Sequence, residues 1–204
     1  MKKIVTIFLF ILALNILTAQ NKIVHMIGVK GAYNISGVNF NPIVEDATAI
    51  TTIKNYSFSY IYFHNLWNSM PYFGFQTELY FQEQGYKLGD ERIVTKTIEV
   101  PFTSKFHIDF WKMRLLLNAG AFVGYRTSKS NGFEATDYHY DYGFLGGGGI
   151  AFIFKPFEIH FETNYHQSFA YLYDPAKVSD TKRYYSHPSQ LLMSVAVYFQ
   201  LFSK

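Results

Sequence analysis

Residues 72–86 read YFGFQTELYFQEQGY, and two interleaved sets of side chains run through them. Phe73, Phe75, Thr77, Leu79 and Phe81 form one set; Gly74, Gln76, Glu78, Tyr80 and Gln82 form the other. Successive side chains of a strand point to opposite faces, so a period of two marks a β-strand with one oily and one polar face. A helix would scatter both sets around its axis. Strands of soluble proteins average about 5–6 residues, and this alternation runs for more than twice that. Its length suits a wall between two solvents.

The pattern recurs. Segment 27–36 sets Ile27, Val29, Tyr33 and Ile35 against Lys30, Asn34 and Ser36, and segment 56–64 lines one face with Tyr56, Phe58, Tyr60 and Tyr62. Segment 97–105 opposes Ile98, Val100 and Phe102 to Glu99, Pro101, Thr103 and Lys105, and Pro101 predicts a bulge there. Segment 111–125 puts Trp111, Met113, Leu115, Leu117, Ala119, Val123 and Tyr125 opposite Lys112, Arg114, Asn118 and Gly124. Segment 141–154 carries GGGG at 146–149; segment 157–165 alternates Phe157, Ile159, Phe161 and Tyr165 with Glu158, His160, Glu162 and Asn164; segment 191–201 presents Met193, Val195, Val197 and Phe199. With 72–86 these make eight strands, an even number as a closed bacterial barrel requires.

None of the eight oily faces carries Asp, Glu, Lys or Arg through its central stretch. An Arg or Lys at the middle of a bilayer costs about 2–4 kcal/mol, which excludes it from a lipid-facing wall. Lipid on the outside then demands closure, because a sheet edge in hydrocarbon leaves N–H and C=O groups unpaired. The expected fold is therefore all-β, an eight-stranded antiparallel up-and-down transmembrane barrel. The glycine run suits a curved wall. A phosphate loop needs a following Lys-Ser/Thr and a helix start, and neither follows.

Composition agrees. Aromatic residues form 20% of the 204-residue chain, with Tyr 17 and Phe 21, while charged residues are 16%, below the roughly 25% of a soluble protein. Cysteine is absent, which excludes disulfides and thiolate chemistry. Residues 1–20 join Lys2 and Lys3 to an apolar run from Ile4 to Leu17 and a small-residue exit at Thr18 and Ala19, the pattern of a signal peptide preceding a barrel domain at 21–204. Without those lysines the charge is nearly balanced, and nucleic acid is not an expected partner.

Segments 37–55, 86–96, 127–140 and 172–188 read as four long polar loops, while 65–70, 106–110 and 155–156 are short. Long external loops with short periplasmic turns are the usual asymmetry of an outer-membrane barrel. Trp67, Trp111 and Phe157 lie beside the short turns and Tyr56, Tyr86, Tyr125, Tyr142 and Tyr171 at the other strand ends, which predicts two interfacial aromatic girdles.

The pieces GVKGAYNISG, FQTELYFQEQG, IEVPFTSK and DYGFLGGGGIAF, in this order, resemble the outer-membrane β-barrel domain common in Bacteroidetes and often labelled porin-family. The resemblance spans nearly the whole chain after residue 20 and implies a small eight-stranded barrel of the cell outer membrane. Members mostly lack an assigned activity, so it implies a place and an architecture more than a task. The chain departs from the usual terminal aromatic, ending YFQLFSK.

Lys30, Glu78, Glu99, Lys105, Lys112, Arg114, Glu158, His160 and Glu162 are expected to point inward as an interior charge network. An eight-stranded barrel has room for little beyond its own side chains, so opposed charges there predict ion pairs that fill it. That reading ranks a non-enzymatic protein acting through its external loops, touching lipid and external or envelope proteins, above a small-solute channel. Glu158, His160 and Glu162 share a face but stand roughly 6–7 Å apart along a strand, too far to converge on a metal unaided. No cofactor is implied. His166 and Ser168 resemble the His-x-Ser pair of outer-membrane lipid A deacylases, yet the register sends Tyr165, not His166, outward, and a triad is defined by geometry.

Overall fold

The computed structural model describes residues 23–63, 73–177 and 185–203. Among them run eight strands: β1 (Val24–Asn41), β2 (Ala47–Phe63), β3 (Phe73–Leu88), β4 (Glu91–Phe110), β5 (Met113–Lys129), β6 (Tyr140–Phe154), β7 (Phe157–Ser168) and β8 (Tyr185–Ser203). Each pairs antiparallel with the next, and β1 pairs with β8 from Val24↔Ser203 to Asn41↔Tyr185, which closes the ring. The signal-peptide segment 1–20 and Trp67 lie outside the described residues.

The alternation settles every wall. Phe75, Leu79, Phe102, Leu117, Val123, Phe144, Phe161 and Val195 face outward and are exposed, while Gln76, Glu78, Glu99, Asn118, Glu162 and Ser194 of the same strands are buried inside. A soluble protein would invert this arrangement.

The strands outrun the oily stretches. Residues 37–41 extend β1 and 47–55 extend β2, leaving a turn at 42–46; β3 and β4 continue to a turn at 89–90, where Gly89 adopts φ 57°. Two of the four expected long loops are thus hairpin tips. Above the oily belt, from the headgroup level upward, the outer face becomes polar and the hydrophobic period vanishes, while backbone pairing continues. The longer connections are 130–139 and 169–184.

Three further expectations are corrected. Pro101 makes no bulge: it pairs in register with Phe122, and the β3–β4 ladder skips from Thr77↔Phe102 to Tyr80↔Glu99 without shifting. The missing proline N–H explains the skip. Lys112 is exposed in the β4–β5 turn, its ammonium 5.5 Å from the centre of the Trp111 ring, so it stands outside the interior network. Tyr86 shares the parity of Gln82 and Gln84 and is buried in the mouth against Ile93 and Leu172, not in a girdle. Tyr56, Trp111, Tyr125 and Tyr142 do face outward. Tyr171 lies beyond β7, packed on Tyr185 and His187.

β2 contains one large irregularity. Its ladder with β3 breaks between Ala49↔Tyr86 and Tyr56↔Phe81, so residues 50–55 of β2 face 82–85 of β3. Side chains replace the lost backbone bonds. The Glu83 amide donates to Asn55 Oδ1 at 2.9 Å, Thr52 Oγ1 and Asn34 Nδ2 donate to the Glu83 carbonyl at 2.9 and 3.0 Å, and Ser36 bridges to the Gly85 backbone. The surplus chain is pushed out, leaving Ile53 77% exposed.

Candidate functional site

The lumen is where this chain concentrates its titratable groups, and the strand period put them there. At the end holding the short turns, Asp109 accepts from Arg114 Nε at 2.7 Å and Nη2 at 3.1 Å, and Arg114 Nη1 donates to Glu158 at 2.9 Å. The guanidinium lies 4.6 Å over the Phe63 ring. Along β7, His160 sits between Glu158, 3.1 Å from Nε2, and Glu162, 3.2 Å from Nδ1. Lys105 Nζ donates to Glu162 Oε1 at 2.6 Å and Asn118 Nδ2 donates to Glu162 Oε2 at 2.8 Å.

Across the barrel, Lys30 Nζ donates to Glu78 at 2.6 Å, and Ser57 and Gln76 complete that carboxylate. Farther up, Glu99 accepts from Gln82 at 2.7 Å, with His166 Nδ1 3.1 Å from its other oxygen and the His166 ring stacked on Phe122. Sequence-predicted residues therefore meet as Lys30–Glu78, Lys105–Glu162–His160–Glu158–Arg114 and Glu99 beside His166. Lys112 is absent from them.

Arg126, Asp141, Lys129, Asp137 and Tyr173 escaped sequence reading. Arg126, fully buried, lies 3.1 Å from Asp141 Oδ2 and donates from Nη1 to the carbonyls of Tyr138 and Tyr171, each at 2.8 Å. One side chain thus ties both longer connections over the mouth. Lys129 Nζ donates to Asp137 at 2.9 and 3.0 Å, and the Tyr86 and Tyr173 hydroxyls meet at 2.6 Å. Burial, joined by the Tyr86 hydroxyl, pushes the Tyr173 phenol well above its usual range, so this contact stays neutral. Arg126 continues the parity of Arg114 and Asn118 and was legible on that ground. Lys129 was not, because Thr97 pairs with Arg126 while Lys96 pairs with Ser128, a bulge that flips the parity after Thr127.

Little space remains. An enclosed cavity between Lys30, Glu78, Asn118, Glu162, His166 and Ser194 measures about 20 Å³, room for a single water. Gly147 and Gly149 face inward from β6; a Cβ on either would stand 2.1 Å from a β7 carbonyl oxygen, and their absence lets β7 lie close. Chemistry of the His-x-Ser type finds no support in this geometry. The Ser168 hydroxyl lies within hydrogen-bond reach of Asp141 and of the Ala170 carbonyl, His166 faces Glu99, and all are buried away from lipid.

No protein-family model matches this sequence, and no curated protein matches it significantly. Solved structures do. Neisserial surface protein A (NspA) superposes with a TM-score of 0.52 at 9% identity, over 87% of this chain and 97% of that one. The outer membrane protein OprG from Pseudomonas aeruginosa gives 0.52 at 10% identity, over 90% and 98%. Ail, the attachment invasion locus protein of Yersinia pestis, gives 0.44 at 15% identity, over 88% and 99%. The likeness is one of fold, and that fold is the eight-stranded outer-membrane β-barrel.

Proposed function

We propose that this protein is a non-enzymatic, sealed barrel of the cell outer membrane that works through its external rim. Membership of the Bacteroidetes barrel family is part of the same proposal. The observation that carries it is the filled lumen: paired charges occupy the axis, the cavity left among Lys30, Glu78 and Glu162 measures about 20 Å³, and Arg126 fastens two connections across the mouth. A diffusion channel needs an open bore or a ring of one charge sign, and the pairing leaves neither. What faces the outside is the rim, where Ile43 at the β1–β2 tip is 85% exposed and Tyr138 is also exposed. Residues on loops held by a rigid scaffold are where binding commonly resides.

Photo-crosslinking on intact cells tests this reading. A crosslinker at Ile43 or Lys177, on the rim, is expected to give discrete adducts, and one at Lys112, at the opposite end, is expected to lack them. Identical patterns from both ends, or none from the rim, contradict it.

A further inference from the structure

Among the described residues, the charged side chains that face outward from the eight strands all fall on one sector: Lys54 on β2, Glu83 and Lys87 on β3, Arg92 and Lys96 on β4. They share a level. Tyr56, Phe81, Ile98 and Tyr125 are consecutive partners across β2–β5 and form the upper edge of the oily belt there. Two residues farther along, Glu83 pairs with Lys96 in the ladder, and Lys54 Nζ lies 3.9 Å from Glu83 Oε1. Higher still, Arg92 reaches over β3 to donate from Nη2 to the Thr51 carbonyl at 2.6 Å, a carbonyl within the stretch where the β2–β3 ladder is broken.

The broken ladder builds the display. Because Asn55 and Thr52 satisfy the β3 backbone in place of β2, residues 53 and 54 are pushed off the wall, with Ile53 and the Lys54 side chain each 77% exposed. An isoleucine beside a lysine at the top of a lipid-facing belt presents apolar surface to acyl chains and an ammonium to the headgroup layer. Lys54, Lys87, Arg92 and Lys96 gather four cations on this sector, with Glu83 3.9 Å from Lys54 and Asp90 3.5 Å from Lys87. Cations at the headgroup level attract anionic lipid, and a guanidinium suits phosphate oxygens in particular.

We infer that Lys54, Arg92 and Lys96 form a binding site for the phosphate of a lipid in the outer leaflet, with Ile53 seated among its acyl chains. The site is independent of what the rim contacts.

The test uses the full barrel in nanodiscs of phosphatidylcholine mixed with phosphatidic acid, and native mass spectrometry of the lipids retained on release. Wild type is expected to retain phosphatidic acid in excess over its share of the bilayer. The triple variant K54Q/R92Q/K96Q is expected to lose that excess on the order of tenfold or more, since each cation at a charged surface contributes several-fold. A variant with three cations removed elsewhere, K112Q/K155Q/K177Q, is expected to keep it. Heat-modifiable gel mobility verifies that each variant is folded. Equal retention by the triple variant and wild type overturns the site, as does an equal loss in the control variant. Displacement of the lipid by millimolar inorganic phosphate overturns the lipid as occupant and leaves a site for a free anion only.

Discussion

Lys105 and Glu162 show what a side chain is worth in this interior. Their charged groups are 1% and 2% exposed and 2.6 Å apart. Removing one partner of a buried pair strands the other, at about 3–5 kcal/mol. Lys105→Met is therefore expected to lower the unfolding free energy by that amount, measured by urea titration in lipid vesicles. The double variant K105M/E162L should recover part of the loss, because no carboxylate is left stranded, while His160 and Asn118 lose a partner. If the double variant is as unstable as the single, the pair is not coupled as described. The inward set was legible from parity alone for Lys30, Glu78, Glu99, Lys105, Arg114, Glu158, His160 and Glu162. Lys112 has that parity too, but the strand has already turned there, and alternation cannot reveal its own end.

Strands were readable where lipid imposes a period and unreadable where it stops. Residues 47–55 look like loop because Thr48, Thr51 and Lys54 face water, yet the backbone stays paired or is held by Asn34, Thr52 and Asn55. Asn55 makes three of those contacts, receiving the Glu83 amide and donating to Thr52 Oγ1 at 2.9 Å and to the Thr52 carbonyl at 3.1 Å. Asn55→Ala is expected to cost about 1–3 kcal/mol and to speed amide exchange at Glu83 while leaving β5 and β6 unchanged. The glycine run makes a paired prediction. A Cβ at Gly149 would meet the Phe161 carbonyl at 2.1 Å, whereas one at Gly146 faces outward with its nearest neighbour at 3.8 Å. Gly149→Ala should destabilise by about 1–3 kcal/mol through forced strand separation, and Gly146→Ala by less than about 0.5 kcal/mol. Equal effects would mean that the glycines serve curvature generally and not the approach of β7.

The barrel as assembled separates two environments with one alternating rule, and that separation decides its permeability. Lipid fixes the outer faces; the shortage of space inside an eight-stranded ring fixes the pairing of charges. Purified protein in a planar bilayer is accordingly expected to give no steady conductance steps, and resolved openings would favour a channel. The most direct measurement is nitroxide accessibility along β5, one labelled position at a time from 114 to 125, in lipid vesicles. The account predicts strong relaxation by oxygen at Leu115, Leu117, Ala119, Ala121 and Val123, and weak relaxation by both oxygen and a water-soluble nickel chelate at Leu116, Asn118 and Phe122. Nickel access at the inward positions would mean an open lumen, and nickel access at the outward ones would mean that lipid is not the solvent of this wall.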